Sequence, residues 1–251
     1  MKFIHISDLH FHGTDEKNSE VTKTLENLNK NYPSHCIIVT GDIVDDGNKE
    51  QYILAFEALQ HFKKRIFICP GNHDFGTAGN LYERKKAESF DEYLMTPLQQ
   101  NGTFSDNNLP VVSIIRENND QVMLIALDTN LETIDPTDFA CGNVGDKQLK
   151  ALKDILSDSS NATFTKILFF HHHPFIRSDF TMELKDASKL MEVIKNKVNI
   201  VLFGHKHDSD MWRSKYGIEF ILASNNSPGK GSAREITIEN KNITVNEVPI
   251  D

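Results

Sequence analysis

The stretch that decides the fold is Arg65-Ile66-Phe67-Ile68-Cys69-Pro70-Gly71-Asn72-His73-Asp74. Its apolar first half predicts a short buried strand, and Pro70 and Gly71 then break the strand and expose the next residues. Asn72 offers a neutral oxygen ligand, whereas His73 offers a nitrogen ligand or an acid/base group. In isolation, an Asn-His pair in a loop is usually just part of a turn. The signal comes from four similar clusters, each of which also comes after an apolar run.

Length and composition restrict the class of protein. The chain has 251 residues, and we predict a single domain over residues 1–251 with one large core. The net charge of -9 argues against binding to a long nucleic acid. Three cysteines without paired spacing predict reduced thiols and a cytoplasmic protein. Neither a signal peptide nor a membrane-spanning run is predicted, and a homodimer stays open.

Apolar runs and amphipathic segments alternate along the chain and predict an α/β protein. We predict strands over residues 3–7, 36–40, 65–69, 110–115, 121–127, 165–170, 199–203, 211–215, 218–223, 233–239 and 243–248. We predict helices over residues 19–30, 50–62, 81–98, 146–156 and 187–196. The first two helices are expected to bury Val21, Leu25, Leu28, Ile53, Phe56 and Leu59. The last four strands are expected to form an antiparallel half.

Two polar clusters come after the first two predicted strands. In the first, Asp8-Leu9-His10, residues i and i+2 of an extended segment point to the same side, so Asp8 and His10 can reach one metal ion. Taken alone, a chance pairing in a polar loop is the more frequent explanation. The second cluster is Gly41-Asp42-Ile43-Val44-Asp45-Asp46-Gly47. Its glycines allow sharp turns that bring carboxylates to the edge of the sheet.

Two histidine clusters come after later strands. His171-His172-His173-Pro174 lies directly after the strand over 165–170, and three consecutive histidines there are difficult to explain as structural residues. Gly204-His205-Lys206-His207 lies after the strand over 199–203, and its i, i+2 spacing again places two imidazoles on one side.

The candidate ligands share one position, the carboxyl end of a predicted strand. They are Asp8, His10, Asp42, Asn72, one histidine of the 171–173 run, His205 and His207. In an α/β sheet these ends lie at one edge, where ligands bind. Carboxylate, amide oxygen and imidazole without thiolate suit Mn, Fe, Co, Ni or Zn. Seven ligands exceed the needs of one ion, so the set predicts a two-metal site, which typically catalyses in-line displacement at phosphorus.

The five motifs, Asp-x-His, Gly-Asp-x-x-Asp, Gly-Asn-His-Asp, His-x-Pro and Gly-His-x-His, occur in this order over residues 8–207. This pattern resembles the calcineurin-like metallophosphoesterase superfamily. The resemblance implies a four-layer α-β-β-α sandwich of two mixed β-sheets flanked by helices. It also implies two divalent metal ions, Mn, Fe or Zn, and hydrolysis of phosphoesters by attack of a metal-bridging hydroxide on phosphorus.

The resemblance also assigns ligands by position. One metal is expected to be held by Asp8, His10 and His207, the other by Asn72, His172 and His205, with Asp42 as the bridge. In relatives the ligand is the histidine two residues before the proline, which is His172 here. His171 is the alternative, and His173 is expected to point elsewhere.

The resemblance gives catalytic roles to His73 and Asp45. His73 is expected to lie over the substrate and to protonate the leaving oxygen rather than to bind metal. It is expected to pair with Asp45, which lies three residues after the bridging Asp42.

Within the superfamily, the His-His-His-Pro block and Gly142-Asn143-Val144-Gly145 with Gln148-Leu149 resemble bacterial class III cyclic-nucleotide phosphodiesterases. Those relatives often carry a tryptophan shortly after that leucine, where this chain has Ala151-Leu152. Protein Ser/Thr phosphatases differ, because they have arginine in place of Asp46 and glutamate in place of Asp74.

We therefore expect a phosphodiesterase that acts on a small phosphoester such as a cyclic nucleotide. A phosphomonoesterase and a non-catalytic scaffold of the same fold are the alternatives, but scaffolds lose ligands that this chain keeps. Lys230 lies in the polar loop 225–231, and Arg234 follows it. Two alternatives stay open for these residues: contact with a phosphate, or a loop that faces solvent. Phe75 and Trp212 could stack on a nucleobase of the substrate, or they could pack in the core.

Overall fold

The computed structural model describes residues 1–106, 108–130, 132, 137, 139–176, 179–224 and 232–250. Its strands are β1 Lys2–Ile6, β2 Cys36–Thr40, β3 Ile66–Cys69, β4 Val111–Glu117, β5 Asp120–Ala126, β6 Thr165–Phe169, β7 Ile200–Phe203, β8 Met211–Lys215, β9 Ile218–Ala223, β10 Ser232–Glu239 and β11 Asn242–Pro249. Its α-helices are α1 Asp15–Asn31, α2 Lys49–Leu59, α3 Asn72–Phe75, α4 Arg84–Phe90, α5 Asp146–Ser157 and α6 Ala187–Ile194. The predicted helix over 81–98 is thus shorter, and it continues as a π-helical turn, Asp91–Met95.

The strands form two mixed sheets. The five-stranded sheet has the order β11-β10-β1-β2-β3, in which β1, β2 and β3 are parallel and β10 is antiparallel to β1. The six-stranded sheet has the order β4-β5-β6-β7-β9-β8, in which β5, β6, β7 and β9 are parallel. Parallel neighbours bring the carboxyl ends of the strands to one edge, which positions the site.

Alternating residues of the six-stranded sheet pack into two cores. On β6, Ile167 and Phe169 join the core that includes the five-stranded sheet, whereas Leu168 and Phe170 join the core beneath α5 and α6. The helices α1 and α2 bury residues such as Val21 in the first core. The predicted α-β-β-α sandwich is therefore confirmed. None of the helices in the described ranges is both long and apolar enough to cross a bilayer.

Helix α2 buries two of its three predicted core positions. Leu59 is buried and Phe56 packs half-buried against the core, but Ile53 is 37% exposed, and Tyr52 and Ala55 are buried instead. The Tyr52 side chain lies in the core because its hydroxyl donates a hydrogen bond to the main-chain carbonyl of Asp74. A tyrosine whose hydroxyl is hydrogen-bonded can be buried at little cost, so a prediction from hydrophobicity alone did not count Tyr52 as a core residue.

The predicted antiparallel half is divided between the sheets. The hairpin β8–β9 extends the six-stranded sheet, where β9 is parallel to β7. The hairpin β10–β11 extends the other sheet, where β10 pairs with β1. The predicted antiparallel pairing is therefore confirmed within each hairpin and between β10 and β1, whereas the parallel pairing of β9 with β7 was not predicted. Period-two patterns define strands but not their neighbours.

Candidate metal centre

Polar side chains from five strand ends meet at one edge of the sandwich. The segments after β1, β2 and β3 carry Asp8, Asp42 and Asn72, and those after β6 and β7 carry His171 and His205. Main-chain hydrogen bonds tie these segments together, since the amide of Asp8 donates to the carbonyl of Gly41 at 3.0 Å. The edge predicted from the sequence is thus where the candidate ligands lie.

The first cluster contains Asp8, His10 and His207. Oδ1 of Asp8 lies 3.4 Å from Nε2 of His207, and Nε2 of His10 also lies 3.4 Å from that nitrogen. The ligand atoms of the three residues all lie within 4.8 Å of one another. This is the set that the resemblance assigned to one ion.

The second cluster contains Asn72, His171 and His205. Nε2 of His171 lies 3.1 Å from Oδ1 of Asn72 and 3.1 Å from Nδ1 of His205. Oδ2 of Asp42 lies 3.2 Å from the same nitrogen. A carboxylate oxygen, an amide oxygen and two imidazole nitrogens therefore converge here.

His171 occupies the position that the resemblance assigned to His172. The ring of His172 is also buried, with Nδ1 2.8 Å from the hydroxyl of Thr129 and its centroid 4.6 Å from that of the His205 ring. Its Nε2 has no hydrogen-bond partner among the described residues and is not one of the atoms that converge on Asp42. Side chains alternate along an extended segment, so His171 continues the series of Ile167 and Phe169, which faces the five-stranded sheet. Counting two residues back from Pro174 assigned His172 as the ligand, whereas the structure places His171, the alternative, among the atoms of the second cluster.

Asp42 connects the two clusters. Its Oδ2 lies 3.2 Å from Nε2 of His171 and 3.9 Å from Nε2 of His10. Its Oδ1 accepts a hydrogen bond from the main-chain amide of His73 at 3.0 Å, which fixes the carboxylate. This is the geometry expected of a bridging ligand.

The backbone at the candidate ligands is strained. The dihedral φ is 57° at Asp8, 49° at His10, 48° at Asp42, 79° at His205 and 53° at His207. A non-glycine residue in this left-handed region is uncommon, although Asp and His occur there more readily than most residues. Each such residue costs about 1–3 kcal/mol, and the strain clusters at functional sites because surrounding structure must enforce it.

Hydrogen bonds on the far side of the ligands orient them. Nδ1 of His171 donates to the carbonyl of Thr40 at 2.8 Å, which leaves Nε2 for the cluster. Nε2 of His205 lies 3.2 Å from the carbonyl of Met182, which leaves Nδ1 for the cluster. Burial lowers the pKa of His205 to about 3, so its ring is neutral, as a metal ligand must be.

The carboxylates give the site a negative potential. Burial lowers the pKa of His10, but Asp45, Asp42 and Asp8 outweigh it and raise that pKa to about 9. Burial has the same opposing effect on His171, where the charge of Asp42 is the main cause of a pKa of about 9. A site that draws protons onto two imidazoles also attracts metal cations.

The residues present fit a pair of divalent cations. Oδ2 of Asp8 is buried and has no hydrogen-bond partner among the residues that the structure describes, a costly arrangement that a cation would relieve. The approach of Nε2 of His10 to Nε2 of His207 is likewise one that a shared cation stabilises. Oxygen and imidazole nitrogen are the donors that borderline divalent metals prefer.

His73 and Asp45 pair through a different atom from the one expected. Nδ1 of His73 donates to the main-chain carbonyl of Asp45 at 2.7 Å, whereas the Asp45 carboxylate is 3.9 Å away. That carboxylate instead lies 3.4 Å from Nδ1 of His10 and 3.1 Å from Nδ1 of His12. The side chain of Asp45 therefore lies beside His10, a candidate ligand, and the main-chain carbonyl of Asp45 orients His73.

This division predicts the effect of Asp45→Asn. An amide carries no negative charge, so the ion pairs of Asp45 with His10 and His12 are both lost, while the main-chain carbonyl that accepts from His73 is unchanged. We expect metal affinity to fall roughly 10- to 100-fold, the usual effect of removing a partner of a ligand. A chelator competition titration measures it. Asp46→Asn is the matched control, and equal affinities in both variants would contradict the assignment.

Two further residues support the site and were not singled out from the sequence. His12 lies on the cavity wall, and the alternation of Asp8, His10 and His12 was the signal for it. The buried Asp74 accepts from the amides of Gly71 and Val44 at 2.8 and 2.9 Å, which joins the loops after β2 and β3. Burial, aided by the charge of Asp42, raises the Asp74 pKa to about 7.

Other candidates have structural roles or cannot be placed. Phe75 is 1% exposed and packs on Phe90, and Trp212 packs on Phe203. Both therefore match the core-packing alternative. Arg234 donates to the hydroxyl of Ser209 at 2.9 Å. Lys230 and the loop 225–231 lie outside the described residues.

The chain belongs to the calcineurin-like phosphoesterase family, whose model matches residues 1–209. This membership confirms the predicted class, a metal-dependent hydrolase of phosphoesters. A solved dimetal phosphatase from Danio rerio has the same fold, with a TM-score of 0.70 at 14% identity over 100% of this chain and 96% of that one.

Curated relatives share about a quarter of their residues with this chain. A probable cyclic nucleotide phosphodiesterase of Xenorhabdus bovienii is 24% identical over 84% of this chain and 81% of that protein. A 3′,5′-cyclic adenosine monophosphate phosphodiesterase of Haemophilus influenzae is 25% identical over 75% of this chain and 60% of its own length. A glycerophosphodiester phosphodiesterase of Enterobacter lignolyticus is 25% identical over 84% and 72%, respectively.

Proposed function

We propose that the protein is a two-metal phosphodiesterase for a small phosphodiester, such as a cyclic nucleotide. The observation that carries the proposal is the pair of ligand clusters joined by Asp42, at the base of a cavity of about 540 Å³. The names of the relatives support a diester: two refer to cyclic nucleotides and one to glycerophosphodiesters.

In this proposal each cluster holds one cation. Asp8, His10 and His207 would hold the first, and Asn72, His171 and His205 the second, with Asp42 shared. When bound, such a pair of cations lowers the pKa of water and offsets negative charge at phosphorus. Mn, Fe and Zn all suit these donors.

His73 is proposed as the general acid. Its side chain is 26% exposed, lines the cavity and is oriented by the carbonyl of Asp45. With Nδ1 occupied by that carbonyl, Nε2 is the atom that would carry a proton to the leaving oxygen. The ring also packs edge-on to His10 at 4.7 Å, which places the acid beside the first cluster.

Steady-state hydrolysis of paired aryl esters tests the proposed function. With saturating manganese at one pH, we expect bis(4-nitrophenyl) phosphate to be cleaved with a higher kcat/KM than 4-nitrophenyl phosphate. The reason is that a monoester lacks the second ester group that a diesterase accommodates. A clear preference for the monoester would move the protein to the phosphomonoesterase alternative.

The remaining predictions stay proposals with partial support. A single domain over residues 1–251 is supported by β10, which returns from the end of the chain to pair with β1. A cytoplasmic location stays a proposal that rests on the unpaired spacing of the cysteines in the sequence. A homodimer stays an open prediction, testable by light scattering.

A further inference from the structure

The cavity over the metal centre is graded from a buried base to an exposed mouth. Relative exposure of the side chain is 3% for Asp42 and 26% for His73. It rises to 41% for Lys206, which also lines the cavity. The side chains of Asp42 and His73 therefore lie deeper than that of Lys206. His207 of the first cluster is 45% exposed, so His207 and Lys206 lie together at the mouth.

Lys206 differs in charge from its neighbours. Among the described residues that line this cavity, it is the one lysine or arginine. The remaining polar lining consists of imidazoles, carboxylates and Asn72, while Ala140 and Met182 supply apolar surface. An ammonium group offers three hydrogen-bond donors and no acceptor, so its natural partner is an anionic oxygen.

The current partner of Lys206 leaves it available to a ligand. Its Nζ lies 3.5 Å from Oδ2 of Asp208, whose side chain is 62% exposed. Exposed ion pairs of this kind contribute little, because water screens them and both side chains lose freedom. An incoming anion can therefore compete with Asp208 for the ammonium group.

We propose that Lys206 is a specificity-determining residue that binds a second anionic group on the ester arm of the substrate, beyond the phosphoryl group that reacts. Among the small phosphodiesters of the proposed function, the preferred class is then one that carries a further phosphate or carboxylate on that arm, rather than an unsubstituted cyclic nucleotide, whose one phosphate is the reacting group. The inference rests on the proposed phosphodiesterase function. It is drawn from the position of a cation at the mouth, beside the exposed His207 and farther out than the buried Asp42, which is proposed to serve the reacting group.

Two chromogenic diesters test this inference. Thymidine 5′-(4-nitrophenyl phosphate) has an uncharged arm, and its 3′-phosphorylated form has the same reacting diester and leaving group with an added anion. We expect the wild type to prefer the phosphorylated form roughly 3- to 10-fold in kcat/KM, the effect of a partly exposed ion pair. The measured quantity is the ratio of kcat/KM for the phosphorylated diester to kcat/KM for the uncharged one, so a change that affects both substrates equally does not alter it.

Variants of the ion pair should move the ratio in opposite directions. Lys206→Met should bring it to about one, and Lys206→Arg should preserve it, because the guanidinium keeps the charge. Asp208→Asn should raise it, because the competing carboxylate is removed. Lys153→Met, at an exposed position on α5, is the matched control and should leave it unchanged. Circular dichroism and metal content verify that each variant is folded and loaded.

The outcomes separate this inference from the proposed function. If the wild type cleaves both diesters with equal kcat/KM, or if Lys206→Met retains the preference, the role of Lys206 is wrong and the diesterase proposal stands. If Lys206→Met slows both substrates by the same factor, Lys206 contacts the reacting phosphoryl group instead, which also overturns the inference. If the metal-loaded wild type cleaves neither diester but cleaves 4-nitrophenyl phosphate, both proposals fail.

Discussion

Replacing Asp42 by alanine is expected to reduce phosphoester hydrolysis on the order of 10³-fold or more. The Asp42 carboxylate approaches both clusters, with Oδ2 at 3.2 Å from Nε2 of His171 and 3.9 Å from Nε2 of His10. Its removal weakens both proposed cation sites at once, and stabilisation worth several kcal/mol corresponds to such a factor. The measurement is kcat/KM for bis(4-nitrophenyl) phosphate at saturating manganese.

The control for this variant is Asp120→Ala. Asp120 is also buried, at 7% exposure, and accepts from the amides of Asn240 and Lys241 at the other end of the sandwich. It therefore reports the cost of losing a buried carboxylate without touching the metal centre. If Asp42→Ala and Asp120→Ala lost the same amount of activity, the bridging role would be refuted.

Replacing His73 by alanine is expected to produce the second-largest loss, about 10²- to 10⁴-fold for a ribose leaving group, the usual contribution of a positioned general acid. Metal content should be unchanged, because Asn72 rather than His73 joins the second cluster. The loss should be smaller for a nitrophenol leaving group, which departs without a proton. A residual defect is expected there, since an imidazolium also stabilises charge on the phosphoryl oxygens.

The comparison needs both substrates on the same metal-loaded preparations. Hydrolysis of cyclic AMP, monitored by chromatography, reports the ribose leaving group, and nitrophenol release reports the activated one. His61→Ala is the matched control, because His61 is exposed and lines a groove beside α1 and α2. An equal loss on both substrates would remove the acid assignment, and a loss of metal would make His73 a ligand.

The architecture was accessible from the sequence because each buried strand is a short apolar run that ends in a turn signal. The runs at 36–40 and 165–170 predicted β2 and β6 almost to the residue. The pairing of the strands could not be predicted in this way, because a period-two pattern is compatible with either sheet and with a parallel or an antiparallel neighbour. The hairpin β10–β11 therefore could not be assigned to the sheet of β1 from its own residues.

The sequence was likewise incomplete as a guide to the individual contacts of the site. The motifs named the residues that meet, but they did not specify which atom of each residue faces the centre. Asp45 pairs with His73 through its carbonyl, a contact for which side-chain identity carries no information. The choice between His171 and His172 was accessible, however, because the alternation of Ile167 and Phe169 along β6 places His171 on the inner face.

The central claim is a two-cation centre in which His171 completes the second cluster. Elemental analysis after manganese loading and gel filtration tests it directly on the wild type, His171→Ala and His172→Gln. We expect about two equivalents of metal in the wild type, about one in His171→Ala and about two in His172→Gln. A wild type that binds a single ion, or a His171→Ala variant that keeps both while His172→Gln loses one, would contradict the account.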